Sequence, residues 1–161
     1  MQRTNRTFFT YQTPRGKITL ESDGQALTHV VFGQQALNGI EKPTELTNQA
    51  ATELQEYFAG KRTVFDIPLN PEGTPFQKLV WEALLSIPYG QTRTYKQIAE
   101  QIGHTKSYRA VGAANNKNPL PIFIPCHRVI GVDGSLTGYA SGLKIKEGLL
   151  NLEQQAKREK K

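Results

Sequence analysis

The chain has 161 residues, 37% of them hydrophobic and 21% charged, and a net charge of +6. That is room for one ordinary domain or two small ones sharing a core, with the composition of a soluble globular protein. No apolar run approaches the length of a membrane span, and the N-terminal MQRTNRTFF lacks the apolar segment of a signal peptide. The single cysteine cannot form an internal disulfide, which fits a reducing, cytoplasmic setting. A basic surface favours polyanions such as nucleic acid, although many small proteins are basic without such a partner.

In chain order, the first third reads as β-rich. Arg6 to Thr13 is aromatic and Thr-rich. Gly16 to Ser22 alternates, with Ile18 and Leu20 on one face, and Leu27 to Phe32 is a third apolar run. Asp23-Gly24 is a hairpin turn signal. Glu45 to Ala59 is predicted helical, with Ala50, Leu54 and Phe58 four apart and Gly60 as the stop. Val64 to Leu69 reads as a short strand, and Asn70-Pro71-Glu72-Gly73 as a linker. The rest reads as helical. Thr74-Pro75-Phe76-Gln77 is a capping box with proline at the first helical position, followed by Phe76, Val80 and Leu84 at helical spacing. Thr94-Tyr95-Lys96-Gln97 is a second capping box, opening a helix that buries Ile98 and Ile102 and stops at Gly103. A short turn leads to a helix over Ser107 to Asn116, which must end before Pro119. Leu143 to Gln155 is the last predicted helix. AKREKK, residues 156–161, holds four positive charges and reads as a solvated, frayed tail.

Two short helices joined by a glycine-containing turn form a helix-turn-helix candidate. The second, Ser107-Tyr108-Arg109-Ala110-Val111-Gly112-Ala113-Ala114, is poor in bulky side chains. Small residues there serve either close approach to a DNA groove or close packing against a neighbouring helix.

The most informative stretch runs from Pro119 to Gly131. Its prolines should hold it extended, with Ile122, Phe123 and Ile124 buried and Cys126 at its end. A lone cysteine is usually a small core hydrophobe. Against that, His127 and Arg128 follow it directly, and either could lower the thiol pKa and favour the nucleophilic thiolate.

Pro125-Cys126-His127-Arg128-Val129 resembles the active-site motif of the O6-alkylguanine-DNA alkyltransferases, also called methylated-DNA–protein-cysteine methyltransferases. The resemblance continues through Thr74-Pro75-Phe76-Gln77, Val80-Trp81, Ile87-Pro88-Tyr89-Gly90, Tyr95, Arg109-Ala110-Val111-Gly112, Asn118-Pro119, Leu136-Thr137-Gly138-Tyr139, Lys146, Leu149-Leu150 and Glu153. It covers residues 74–153 densely and residues 1–70 loosely, mainly at Glu56-Tyr57-Phe58-Ala59-Gly60. It implies an α+β fold. A small β-rich, ribonuclease H-like domain over 1–70 would precede a helical DNA-binding and catalytic domain over 74–155 with a helix-turn-helix.

The resemblance also implies chemistry. A monomer binds double-stranded DNA through the minor groove and flips out an O6-alkylguanine, because the target atom is unreachable inside the stack. The alkyl group then passes irreversibly and stoichiometrically to Cys126; O4-alkylthymine is an open second substrate. In this reading His127 is the base through a bridging water, and Glu153 orients it. Tyr95 donates to guanine N3, Tyr139 closes the pocket, and the Ala140 backbone N–H helps hold O6. Val129 and Lys146 belong to the same substrate-binding set. Asn118 ties the helix-turn-helix region to the active-site turn. Arg109 takes the flipped base's place in the stack, flanked by Thr94, Ser107, Ala110, Gly112 and Ala113 on the DNA-facing side. Tyr108 is bulkier than the alanine or valine often found there. Lys146, Leu149, Leu150 and Glu153 fall at near-helical spacing, which would turn the carboxylate inward.

No cofactor is expected, since the alkyl donor is the lesion and the chain carries no Gly-rich dinucleotide loop. With only Cys126, His29, His104 and His127 as soft ligands, the zinc site of some family members cannot be built. Two rivals remain: a non-catalytic, lesion-sensing helix-turn-helix protein with a structural cysteine, and a Cys–His hydrolase or acyltransferase.

Overall fold

The computed structural model describes residues 5–136, 139 and 142–159, with side chains through Ala156. The chain forms two compact units, one up to Glu72 and one from Gly73.

The first unit is a four-stranded sheet with one helix against it. β1 (Thr7–Thr13), β2 (Gly16–Ser22) and β3 (Leu27–Phe32) form an antiparallel meander. A short β4 (Ile40–Glu41), not anticipated from the sequence, pairs parallel to β1, giving the order β3-β2-β1-β4. The Asp23-Gly24 turn is present. Asp23 Oδ1 accepts from the backbone N–H groups of Gln25 and Ala26, and Gly24 takes φ +99°, which a side chain would resist. α1 (Glu45–Phe58) packs on β1 and β2 and starts with a capping box between Thr44 and Thr47.

Two expectations for this unit need correction. β2 does not alternate between core and solvent, because Thr19, Glu21 and Ser22 are buried along with Ile18 and Leu20. Glu21 is tolerated inside because Thr28, His29, Arg6 and the Asn38 N–H all bond its carboxylate. Val64 to Leu69 is not a strand. Only Leu69 forms a bridge, with Leu27, because Pro68 has no N–H to give a ladder.

The second unit contains α2 (Pro75–Leu84), β5 (Arg93–Thr94), α3 (Tyr95–Gln101), α4 (Tyr108–Asn116), a 3-10 turn at Cys126–Arg128, β6 (Val129–Ile130) and α5 (Leu143–Glu159). Both predicted capping boxes close, Thr74 with Gln77 and Thr94 with Gln97. Ser107 is the N-cap of α4 but makes no side-chain cap bond. α2, α3 and α4 pack together over Val80, Trp81, Leu84, Ile98, Ala99, Val111 and Ala114. α3 buries Ile98 and Ala99; Ile102, expected inside, is its half-buried C-cap residue. Phe76 is likewise only half-buried, edge-on to His104. α5 is longer than expected: the predicted frayed tail continues the helix to Glu159, with Ala156 buried. Lys160 and Lys161 lie outside the described residues.

Trp81 fastens α2 to α4, its indole N–H donating to the Ala114 carbonyl at 2.8 Å. Trp81→Phe should therefore lower stability by about 1–2 kcal/mol, the worth of a buried hydrogen bond with most of the packing retained. Denaturant melts with unchanged slope would check this; a neutral substitution would mean the indole N–H does not fasten the helices.

Candidate active site

Cys126, His127 and Arg128 sit on the 3-10 turn, all buried. The segment before them is not extended as expected. Ile122 lies in the left-handed region at φ +77°, and the Ile124 N–H returns to the Leu120 carbonyl at 2.9 Å. That conformation costs a β-branched residue on the order of 1–3 kcal/mol and persists only where its surroundings impose it. Asn118 supplies the clamp. Its Oδ1 accepts from Leu120 N–H at 2.9 Å, and its Nδ2 donates to the Ile124 carbonyl at 2.8 Å. Asn115 on α4 adds a bond from Nδ2 to the Cys126 carbonyl at 3.3 Å. Nothing in the sequence pattern marked Asn115, because its role depends on which face α4 turns inward.

Beyond the turn, β6 pairs in parallel with β5, Arg93 opposite Val129 and Thr94 opposite Ile130. Thr94 is also the N-cap of α3, so Tyr95, the first residue of that helix, is held next to the cysteine turn. Two two-residue strands carry too little pattern to be read from sequence, yet this pairing joins segments more than thirty residues apart.

α5 closes the site with its buried face, Lys146, Leu149 and Glu153. Lys146 Nζ donates to the Val129 carbonyl at 2.5 Å and lies 5.8 Å from the centre of the Tyr95 ring. Burial pulls its pKa down to about 8, with Cys126 acting in the opposite direction.

Glu153, 1% exposed, is the hub. Its Oε2 accepts from His127 Nε2 at 2.7 Å and from an Arg128 guanidinium nitrogen at 2.9 Å. Its Oε1 accepts from Arg128 Nε at 2.9 Å and from the Gly90 N–H at 3.1 Å. Burial pushes the carboxyl pKa up, but the bonds from His127 and Arg128 outweigh it and hold the group at about 2. Glu153 is therefore an anion that only accepts, so His127 must carry its proton on Nε2, and Nδ1 is the nitrogen that can take another. Arg128 was weighed from sequence only as a possible activator of the thiol. It turns instead to Glu153 and to the Ile87 carbonyl at 2.7 Å, over the Tyr89 ring.

The thiol is not activated in the way the sequence suggested. Burial drives the Cys126 pKa up to about 11; the Asn118 amide, Lys146 and the Tyr139 hydroxyl oppose that rise without cancelling it. Tyr139 is buried beside the thiol, and burial raises its own pKa well above the ordinary value. Ala140, Thr137 and Gly138 lie outside the described residues.

The predicted DNA-facing residues lie on α4 and at the N-caps of α3 and α4. Arg109, Ala110 and Ala113 are exposed on α4, and Gly112, Thr94 and Ser107 are half-buried. Packing explains the smallness of Ala114, which lies inside, but not of Ala110 and Ala113. Tyr108 is 49% exposed at the start of the same helix. Among the described residues there is no cluster of three metal-ligating side chains, and no helix is long and apolar enough to cross a membrane.

A helix-turn-helix beside a buried Cys–His–Glu cluster defines a class of protein: a DNA-binding unit carrying its own nucleophile. Two family models divide the chain between them. The ribonuclease-like domain of 6-O-methylguanine DNA methyltransferase matches residues 8–71, and its DNA-binding domain matches 75–155. A methylated-DNA–protein-cysteine methyltransferase of Methanosarcina barkeri is 54% identical, covering 89% of this chain and 94% of that one. The constitutive enzyme of the same name from Bacillus subtilis is 44% identical over 95% and 98%. The crystal structure of Mycobacterium tuberculosis OGT in complex with DNA superposes with a TM-score of 0.86 at 44% identity, covering 93% of this chain and 94% of that one. The chain belongs to the 6-O-methylguanine DNA methyltransferase family.

The depressed Glu153 pKa has a stability consequence. A carboxylate held below its unfolded value stabilises the fold at pH above about 4.5, and that contribution is lost as pH falls toward about 2. Glu153→Gln leaves Arg128 buried without its counter-charge and should cost about 3–5 kcal/mol at neutral pH. The loss should shrink steadily in acid; a penalty independent of pH would refute the assignment of charge.

Proposed function

We infer that the protein repairs DNA by moving an alkyl group from O6-alkylguanine onto Cys126, once per molecule. The observation that carries this reading is the buried cysteine on the same turn as an imidazole oriented by a carboxylate. The family membership and the DNA-bound relative support it. Residues 74–155 form the DNA-binding and catalytic domain, and the protein works as a cytoplasmic monomer on double-stranded DNA carrying the lesion.

The balance of the step is as follows. The Cys126 S–H proton passes to His127 Nδ1 through a bridging water. The thiolate attacks the alkyl carbon in line, forming C–S while the C–O6 bond breaks and its electron pair leaves with guanine. The guanine anion receives a proton at N3 from the Tyr95 hydroxyl, which leaves a phenolate at Tyr95 and an imidazolium at His127; the two charges cancel, and proton exchange with water returns both groups to neutral. Burial explains why the thiol needs this relay, since a group held near 11 cannot ionise by itself at neutral pH. Tyr139 lines the base pocket with Val129 and Lys146, and Asn118 holds the turn. Arg109 fills the gap in the stack, and Ala110, Gly112, Ala113, Thr94 and Ser107 lie along the groove.

The direct test is the intact mass after incubation with an O6-methylguanine duplex. One added methylene on Cys126 and then no further reaction is expected; multiple turnovers would overturn the reading. Cys126→Ser should bind the lesion duplex without transfer. A lesion-sensing role predicts no transfer even from the unaltered chain. Arg109→Ala should slow duplex repair at least tenfold, because unstacking costs a few kcal/mol, yet slow reaction with a free base analogue such as O6-benzylguanine little. Equal slowing on both substrates would remove Arg109 from the stack.

A further inference from the structure

We propose that Arg128 is a positioning residue that sets the proton affinity of His127: by sharing the Glu153 carboxylate it keeps the imidazole neutral in the resting protein. This rests on His127 acting as the base in alkyl transfer.

The starting point is what a buried carboxylate does to an imidazole bonded to it alone. In a low-dielectric interior the opposite charge strongly favours imidazolium, so a His–Glu pair without other partners tends to be an ion pair at neutral pH. An imidazolium cannot take the thiol proton. In this site the carboxylate is not alone with the histidine. Arg128 places two guanidinium N–H groups on it, one on each oxygen, at 2.9 Å. Guanidinium does not give up its proton, so the Arg128–Glu153 pair is neutral overall wherever Glu153 is ionised. His127 then meets an oriented acceptor whose charge is already matched. The hydrogen bond fixes the Nε2–H tautomer without charging the ring.

The titratable and charged groups gathered at this site are Glu153 and Lys146 from α5, Tyr89 from the loop after α2, Tyr95 from α3, Tyr139 from the loop before α5, and Cys126 and Arg128 on the ring's own turn; of these, Lys146 acts on His127 in the same sense as Arg128 and Glu153 in the opposite one. Protonating His127 would give one carboxylate two cationic partners, with the buried Lys146 ammonium nearby on the same face of α5. The direction of the His127 pKa agrees. Burial lowers it most, Glu153 opposes, and Arg128 and Lys146 lower it further.

A purely structural role for Arg128 is the competing account, since its third bond ties the turn to the Ile87 carbonyl. The two accounts differ in what they do to a titration. The experiment follows the His127 imidazole by NMR against pH in the full chain carrying Cys126→Ser, which removes the thiol from the titration. It compares Arg128, Arg128→Lys and Arg128→Gln. In the Arg128 chain the ring should be neutral near pH 7; imidazolium there overturns the proposal whatever the variants do. Arg128→Gln should move the midpoint up by about one pH unit or more, a tenfold or larger change in proton affinity. Arg128→Lys, which keeps the charge, should stay near the original midpoint. A folded Arg128→Gln chain with an unmoved midpoint leaves Arg128 structural and sinks the idea.

A second measurement needs no DNA and so is independent of the repair reading. The rate of Cys126 capture by iodoacetamide, in chains with the cysteine intact, should rise near neutral pH in Arg128→Gln, because a charged imidazole nearby favours thiolate. No rise in that rate, together with an unmoved His127 midpoint, would overturn the proposal. If duplex repair fails in every chain that keeps Cys126, the unaltered one included, while these titrations behave as expected, the repair reading falls and the assignment of Arg128 stands.

Discussion

One buried carboxylate organises the second compact unit of this protein. Glu153 is 1% exposed and ionised, a condition that is prohibitively costly unless nearly every lone pair finds a donor. It finds four, from His127, two nitrogens of Arg128, and the Gly90 backbone. Those donors come from the cysteine turn and from the loop after α2. Because the anion sits on α5, satisfying it brings three distant segments to one point. The same condition that makes the carboxylate tolerable fixes the imidazole's orientation and tautomer.

The neighbouring charges follow from that arrangement. Lys146 is buried about two helical turns before Glu153 on α5 and donates to the Val129 carbonyl. Its ammonium faces the thiol side of the site, whereas Arg128 faces the carboxylate. The cysteine is thus surrounded by groups able to stabilise a thiolate, in a setting dry enough to disfavour one.

The turn that carries the cysteine is stiff for a separate reason. Ile122 occupies a region that its branched side chain disfavours, and Asn118 bonds both sides of that residue to keep it there. Asn115 of α4 reaches the Cys126 carbonyl, so the outward-facing helix and the nucleophile share a mechanical connection. α4 leaves Arg109, Ala110 and Ala113 exposed on its outer face and buries Val111, Ala114 and Asn115 on its inner face.

Local signals in the sequence were sufficient wherever the physics is local. The capping boxes at Thr74 and Thr94, the Asp23-Gly24 turn and the inward spacing of Lys146, Leu149 and Glu153 depend on residues a few positions apart, and each forms as read. The cysteine motif and its likeness to the alkyltransferases named the family and its chemistry. Long-range pairing decided the rest. The strand proposed for Val64–Leu69 fails and β4, β5 and β6 appear, because a two-residue strand has no periodicity and exists only through its partner. The same reason hid Arg128 and Asn115: adjacency to Cys126 says nothing of which way a guanidinium turns. It also misjudged the thiol, since basic neighbours along the chain suggest activation while burial, a property of the whole fold, raises the pKa. The sequence determined which groups were available and which local turns they start from; only tertiary packing decided which charges share a dry interior, and therefore which of them can move a proton.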